Sequence, residues 1–117
     1  SVATDERVQA YSKMVFGQTH RLAVMLGVGR SDGIVSAGEL AEALGFKAQS
    51  SIQDPLRDLE RSGLISRLPK VGPKVFYRRN ESLAWEWAEE LLRRATSGAS
   101  TAVAPGSPVQ GLRDGRL

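Results

Sequence analysis

The sequence predicts a mainly α-helical fold of about five helices with a two- or three-stranded β-ribbon. In several segments apolar residues recur every three or four positions, which is the spacing of amphipathic helices. Helix-capping patterns bound two short segments between residues 36 and 62. Two alternating segments flank a proline-containing turn between residues 64 and 79, which is typical of a β-hairpin. A chain of 117 residues has room for one small core.

The first two helices are predicted in residues 5–16 and in residues 20 to about 27. The apolar positions of the first are Val8, Tyr11, Met14 and Val15. Gly17 interrupts or ends this helix, and Thr19 is a candidate cap for the next one. Because the second helix is apolar on nearly all sides, we expect it to lie inside the domain. A glycine-rich loop beginning at Gly27 follows it.

A short third helix is indicated by Ser36 and Glu39, whose spacing fits a capping box. Gly45 is a typical residue for its C-terminal end. The two apolar residues Ile34 and Val35, just before this helix, predict a very short strand that pairs with the hairpin.

The fourth helix has two competing starts. Ser50 and Gln53 fit a second capping box, whereas Asp54 and Pro55 fit a capping aspartate followed by a proline at the first helical position. We favour a start near Ser50, with the first turn loosened by the proline, which lacks a backbone N–H. Ile52, Leu56 and Leu59 form the stripe that we expect to be buried.

The hairpin consists of a strand in residues 64–68, a turn in residues 69–74 and a return strand in residues 75–79. A last helix is predicted from about residues 80–82 to about Ala95. Its two tryptophans are two positions apart and therefore lie on different faces. We expect Trp87 in the core with Leu83 and Leu91, and Trp85 on an outer surface.

The C-terminal segment, residues 97–117, is rich in Ser, Gly, Ala, Thr and Pro. Such a composition buries too little apolar surface to offset the entropy lost on ordering, so it predicts a disordered tail. The folded domain is therefore expected to span residues 1–96.

The composition excludes several classes of function. The chain has no cysteine, which excludes disulfides, thiolate metal sites and cysteine nucleophiles, and it has a single histidine, His20. We find no arrangement of nucleophile, base and oxyanion donors, so we expect neither an enzyme nor a cofactor. No apolar run approaches the roughly 18 residues that cross a bilayer. Since a signal-peptide pattern is also lacking, we expect a cytoplasmic protein.

Positive charge is concentrated in one part of the chain. Residues 47–79 contain eight Lys or Arg residues against three Asp or Glu residues, a balance of +5, whereas the segments before and after each carry −1. This segment contains the fourth helix and the hairpin. The helix pair followed by a basic hairpin predicts a winged helix-turn-helix, in which the second helix of the pair enters the major groove of duplex DNA.

Ten residues of this segment are candidate contacts to DNA bases or phosphates. They are Lys47, Gln49, Ser50, Ser51, Gln53, Arg57, Arg67, Lys70, Lys74 and Arg78. Gln53 and Arg57 are one helical turn apart, and these side-chain types pair with adenine and guanine respectively. Two alternatives remain open: Arg57 pairs with Asp54 or Glu60 on its own helix, and the hairpin arginines protect an edge strand from aggregation.

The segments HRLAVMLGV, ELAEALG, SSIQDPLRDLERSGLI and VFYRRN resemble winged-helix transcriptional regulators of the ArsR type. The proline within the third segment is closer to the PadR type. The resemblance covers residues 19–80. It implies that Ser50, Ser51, Gln53, Asp54 and Arg57 face the DNA groove. It also implies that Lys70 and Lys74 form the tip of the wing. Metal sensing does not carry over, because the chain has no cysteine or histidine cluster.

The resemblance further implies a homodimer formed by the first and last helices. The candidate interface residues are Val8, Tyr11, Val15, Trp85 and Leu92. The expected function is sequence-specific binding of duplex DNA by a dimeric transcriptional regulator, with no small-molecule effector indicated. The alternative is a winged-helix module for protein interaction or assembly, whose basic wing docks on an acidic partner.

Overall fold

The computed structural model of the protein describes the backbone of residues 1–101 and the side chains of residues 1–97. Over this part the chain forms five α-helices, three short strands and one turn of 3-10 helix at Val2–Thr4. The elements are α1 (Glu6–Phe16), α2 (Arg21–Gly29), β1 (Ile34–Ser36), α3 (Ala37–Leu44), α4 (Ser50–Arg61), β2 (Ile65–Arg67), β3 (Phe76–Arg79) and α5 (Ala84–Thr101). The mainly helical fold with a three-stranded sheet is therefore confirmed.

Helix α1 begins and ends as its sequence predicts. The Asp5 carboxylate accepts a hydrogen bond from the Arg7 backbone N–H at 2.9 Å, and Gly17 ends the helix in the left-handed conformation with φ of 74°. The Arg7 guanidinium also binds this carboxylate and lowers the pKa of Asp5 to about 2. Val8 was expected at a dimer interface, but it is 1% exposed and belongs to the core. Its position on α1 faces inward, so that part of the prediction is wrong.

Helix α2 lies at the centre of the domain, as expected from its apolar sequence, but its predicted bounds are wrong. It begins at Arg21, where the side chain of the cap residue His20 makes no capping bond, and it continues through Gly27 to Gly29. Gly27 does not end the helix, because it serves the contact with α3 instead. A Cβ atom at this position would lie 2.7 Å from Cδ1 of Leu40. The glycine therefore allows α2 and α3 to approach closely.

Helix α3 has the predicted start and end. The Ser36 hydroxyl accepts a hydrogen bond from the Glu39 N–H at 3.2 Å, and Gly45 ends the helix with φ of 82°. Helix α4 begins at Ser50 as favoured, but the capping box predicted there does not form. Gln49 occupies the cap position and its side chain makes no capping bond.

Pro55 lies inside α4 and its side chain is fully buried. The alternative start at Asp54–Pro55 is therefore wrong, and Asp54 does not cap the helix. A proline in a helix interior removes one backbone hydrogen bond. Burial of its ring in the apolar stripe of α4 offsets part of this cost.

The three strands form an antiparallel sheet in the order β1–β3–β2. The central strand β3 pairs with β1 through Val35 and Tyr77, and with β2 through Arg67 and Tyr77. The expectation of a third strand before α3 is thus confirmed. Beyond the paired residues, a hydrogen bond from the Leu68 N–H to the Phe76 carbonyl (2.9 Å) closes the base of the hairpin loop.

Helix α5 packs antiparallel to α1. At one end the rings of Phe16 and Trp87 meet edge to face with 5.6 Å between their centroids. At the other end the Arg7 guanidinium donates a hydrogen bond to the Thr96 carbonyl at 3.2 Å. Helix α5 continues to Thr101, past the predicted domain boundary at residue 96. The rest of the predicted tail, residues 102–117, lies outside the described residues.

The two tryptophans of α5 exchange the roles that the sequence suggested. Trp87 is 43% exposed and Leu83 is 79% exposed, whereas Leu91 is buried as expected. Trp85 is half-buried, and its indole N–H donates to the Asn80 carbonyl at 2.8 Å. It packs over Gly29 at the end of α2, where a Cβ would lie 3.3 Å from that of Trp85. The absence of a side chain on Gly29 therefore allows Trp85 to pack closely against the end of α2.

The two consecutive arginines of β3 point to opposite faces, as the alternation of a strand requires. Arg78 is exposed, whereas Nη1 of Arg79 donates to the carbonyls of Val28, Gly29 and Ser31 at 2.9–3.1 Å. Arg79 thus ties the sheet to the C-terminal end of α2, whose last carbonyls have no partner within the helix.

Replacing Arg79 with alanine should lower the free energy of unfolding by about 2 kcal/mol, because three carbonyls lose a charged donor. The neighbouring variant Arg78→Ala is the matched control and should change stability by less than about 0.5 kcal/mol, since that side chain is exposed. Urea unfolding followed by tryptophan fluorescence measures both. Equal losses in the two variants would contradict the role given to Arg79.

The only histidine packs at the start of α2. The ring of His20 lies edge to face against Phe46 with 4.8 Å between centroids, and its buried Nδ1 has no hydrogen-bond partner in the described part of the chain. This burial lowers the pKa of His20 from its ordinary value of 6.5. A packing role for this residue agrees with the sequence-based expectation.

The lowered pKa of His20 predicts a pH-dependent stability. The unfolded chain takes up a proton near pH 6.5 and the folded chain does so only at lower pH. The stability that neutral His20 contributes should therefore be fully present above pH 6.5. The free energy of unfolding should fall as the pH drops below this value. In His20→Gln this slope should disappear from unfolding curves recorded between about pH 5 and 8. An unchanged slope in the variant would assign the pH dependence to other groups.

Candidate nucleic-acid interface

Helix α4 separates an apolar side from a polar side, as its sequence predicts. The buried side chains Ile52, Leu56 and Leu59 are no more than 2% exposed. The exposed polar side chains on or next to the helix are Gln49, Ser50, Gln53, Asp54, Arg57 and Arg61. Ser51, which was predicted to contact DNA, is half-buried between these two faces. A polar face opposite a buried apolar stripe is the ordinary form of a helix at the surface of a domain, and it leaves these side chains accessible.

This polar face forms one wall of a groove of about 460 Å³. The other walls are the N-terminal end of α3 and the β2–β3 hairpin. Five of the ten predicted contact residues line the groove, and they are Gln49, Gln53, Arg57, Arg67 and Lys74. Lys47, Ser50, Lys70 and Arg78 are exposed but lie outside its lining. The structure thus brings half of the predicted set together in a single concave surface.

Helix α3 also contributes to this groove, which was not predicted from the sequence. Ser36, Ala37 and Gly38 line it at the start of that helix. Gly38 matters because a Cβ there would lie 3.1 Å from Nε2 of Gln49. The capping pattern at Ser36 marks this helix start in the sequence, and it is the signal that could have identified the third wall.

Each of the three cationic side chains in the groove has a carboxylate partner. The pairs are Arg57–Asp54 at 2.8 Å, Arg67–Glu60 at 3.3 Å and Lys74–Glu39 at 3.8 Å. The alternative in which Arg57 pairs with Asp54 is therefore present in the structure. We call Glu39, Asp54 and Glu60 the groove acids because they pair with cations of the groove, although they do not line it themselves. The side chains of the three cations remain between 51% and 62% exposed, so the acids lie beside them without covering them.

Arg67 is further held by the aromatic ring of Tyr77. Its guanidinium lies 5.5 Å from the ring centroid and donates to the phenol oxygen at 3.3 Å. The interaction with Tyr77, followed by that with Glu60, raises the pKa of Arg67. Arg67 is thus a permanent positive charge with a defined position between α4 and the sheet.

Four other exposed cations of the same region make no ion pair with any residue that the structure describes. They are Lys47, Arg61, Lys70 and Arg78, and we call them the outer cations. Lys47 lies between α3 and α4, Arg61 at the end of α4, Lys70 in the hairpin loop and Arg78 on β3. The region therefore has a charge-compensated groove and uncompensated positive charge around it.

Residues 1–101 contain neither a cluster of metal ligands nor a membrane-spanning helix. No group of three or more His, Asp or Glu side chains there could hold a metal ion. None of the helices in this range is long and apolar enough to cross a membrane.

Two solved structures share this arrangement of helices and sheet. The organohalide-sensing transcriptional regulator RdhR, in its 2,4-dichlorophenol-bound form, matches with a TM-score of 0.63 and 16% identity over 83% of this chain and 61% of its own. MepR, a transcription regulator of the Staphylococcus aureus multidrug efflux pump MepA, matches with a TM-score of 0.56 and 21% identity over 85% of this chain and 75% of its own. The chain has the winged-helix fold.

In winged-helix terms, α3 and α4 are the helix-turn-helix and the β2–β3 hairpin is the wing. Both matched structures are MarR-family winged-helix regulators, so the predicted resemblance holds for winged-helix regulators in general. The finer assignment to the ArsR or PadR type stays a prediction. The chain spans only 61% of the length of RdhR. No protein-family model and no curated protein sequence matches it.

Proposed function

We propose that this protein is a cytoplasmic transcriptional regulator that binds duplex DNA as a homodimer and reads its sequence with α4. The observation that carries the proposal is the groove, in which side chains from α4 and the wing line one concave surface beside the helix-turn-helix. The match to winged-helix regulators supports it. The net charge of +5 in residues 47–79 gives this region the sign that a phosphate backbone attracts.

The dimensions and chemistry of α4 suit a major groove. Its 12 residues extend about 18 Å, and the major groove is wide enough to admit an α-helix. Gln53 and Arg57 lie one turn apart, and both are exposed in the groove. Asp54 contacts Arg57 at Nη1, and a guanidinium has five N–H donors, so donors remain with which Arg57 can bind a guanine. We assign base recognition to Gln53 and Arg57.

The wing and the outer cations suit phosphate contacts. Lys70 extends from the hairpin loop and has no carboxylate partner in the described part of the chain. Such a side chain meets a phosphate without giving up an internal interaction. We therefore assign Lys70 to the DNA backbone flanking the segment that α4 reads, with Lys47 and Arg78 in the same role.

The homodimer that we propose uses an apolar surface on α1 and α5. Met14 and Leu83 are 75% and 79% exposed, and Trp87 is half-exposed against the ring of Phe16. Exposed apolar clusters of this kind mark interaction surfaces. Of the residues predicted from the sequence, Val15 is exposed, whereas Tyr11, Trp85 and Leu92 are half-buried. Two-fold symmetry would place two α4 helices on a roughly palindromic operator.

The proposal predicts different effects for base-reading and phosphate-binding residues. Changing Gln53 or Arg57 to alanine should weaken binding to the preferred site by about 1–3 kcal/mol and change binding to a scrambled site much less. Changing Lys70 to alanine should weaken binding to both sites and reduce the salt slope by about 0.9. Fluorescence anisotropy over a salt series measures these effects, on a site enriched from genomic DNA.

Lys13→Ala is the matched control, because it removes an exposed cation of α1, away from the groove. It should leave DNA binding unchanged. Equal losses on both duplexes for Gln53→Ala and Arg57→Ala would rule out base reading. If the wild-type protein binds no duplex even at low salt, the alternative of a protein-interaction module gains and the DNA proposal is wrong.

The dimer surface has its own test. Trp87→Glu should weaken self-association by about 30-fold or more, because it places a charge in the centre of the proposed interface. Its circular dichroism should stay unchanged, since this side chain lies partly outside the core. Sedimentation velocity over a concentration series gives the association constant, with Glu86→Gln on the same helix as the control. A wild-type monomer at all concentrations, or an unaffected variant, would refute this interface.

A further inference from the structure

The groove differs in one respect from the surface around it. All three of its cations, Arg57, Arg67 and Lys74, are paired with groove acids, whereas the outer cations have no carboxylate partner among the described residues. The acids come from three places: Glu39 from α3, and Asp54 and Glu60 from the middle and the last turn of α4. The compensated cations are thus those that line the groove, and the acids that pair with them come from more than one helix.

The groove acids are not explained by the needs of the fold. Two of the pairs are exposed and in the third Glu60 is 32% exposed, and ion pairs between largely exposed side chains contribute little to stability. The start of α3 is already capped by the Ser36 hydroxyl, so the side chain of Glu39 is not required there. Carboxylates on a surface that meets phosphates also oppose binding. A role in the complex with DNA would account for their placement.

We propose that Glu39, Asp54 and Glu60 determine specificity by suppressing the binding of non-cognate DNA. This inference rests on the proposed function of the groove. On a non-cognate duplex, the three groove cations can gain only contacts to phosphates. Their carboxylate partners oppose these contacts, because they already bind the cations and because they repel the phosphates. The affinity for such DNA is then left to the outer cations alone.

On a cognate duplex the same acids weaken binding less. Arg57 has five N–H donors, and the bond from Nη1 to Asp54 leaves enough of them to bind a guanine edge. The ion pair is therefore kept while the base contact forms, and Asp54 orients the guanidinium. A partner that tolerates the correct complex and penalises the incorrect one raises the ratio of the two affinities.

The test uses isosteric amides. Glu39→Gln, Asp54→Asn and Glu60→Gln, singly and combined, are compared with the wild type on the enriched site and on a scrambled duplex. Each amide should tighten binding to the scrambled duplex by about 1.5- to 5-fold, the range measured for exposed ion pairs. The salt slope on that duplex should steepen by about 0.9 for each cation released. Binding to the enriched site should change less, so the specificity ratio falls.

Glu42→Gln is the matched control. It lies on α3 near Glu39, is exposed, and makes no ion pair with a described residue, so it removes the same charge without freeing a groove cation. Thermal unfolding checks that every variant keeps the wild-type fold. The expected result is a gain on scrambled DNA for the groove acids and no gain for Glu42→Gln.

Three outcomes would overturn the inference. The triple variant could bind scrambled DNA no better than the wild type, Glu42→Gln could give the same gain, or both duplexes could gain equally. In each case the wild-type protein still binds its enriched site, so the proposed function survives. If the wild type binds neither duplex at low salt, the proposed function itself fails and the inference falls with it.

Discussion

Burial of α2 is the constraint on which the rest of this structure depends. Six of its nine residues are buried, and α1, α3, α4 and α5 all pack against it. Burying each large apolar side chain stabilises the fold by about 1.5–3 kcal/mol, so this one helix supplies much of the core. Because the other helices surround α2, each of them is positioned by its packing against α2.

The placement of α4 follows from this central helix through two specific contacts. Gly27 lets α3 approach α2 closely, and the short turn after α3 then leads directly into α4. On the other side Arg79 fastens the central strand to the end of α2. The helix-turn-helix and the wing are therefore both anchored to α2, and the groove lies between them.

Most elements could be predicted from the sequence because their signals are local. The capping serine at Ser36, the stop at Gly45 and the apolar stripe of α4 each act within a few residues, and each prediction is confirmed. The predictions that are wrong are those in which a residue far away in the sequence determines the local structure. Gly27 looks like a helix end until Leu40 is placed beside it. Spacing shows that the tryptophans of α5 face different ways, but only the contact of Trp85 with Gly29 shows which one turns inward.

The same distinction applies to the candidate site. The pair between Arg57 and Asp54 is three residues apart on one helix and was foreseen as an alternative. The pair between Glu39 and Lys74 joins α3 to the wing, and no local sequence pattern predicts it. The sequence therefore indicated which side chains face outward on α4. It could not indicate that the charge of Lys74 in the wing is compensated by an acid of α3.

Tyr77 belongs to two environments at once. It is 8% exposed at the centre of the sheet, pairs with both neighbouring strands and also lines the groove. The floor of the groove is therefore part of the hydrophobic core, and neither can rearrange without the other. A ligand held in the groove binds the folded chain alone, so it raises the melting temperature and the denaturant midpoint by an amount set by its concentration relative to its Kd.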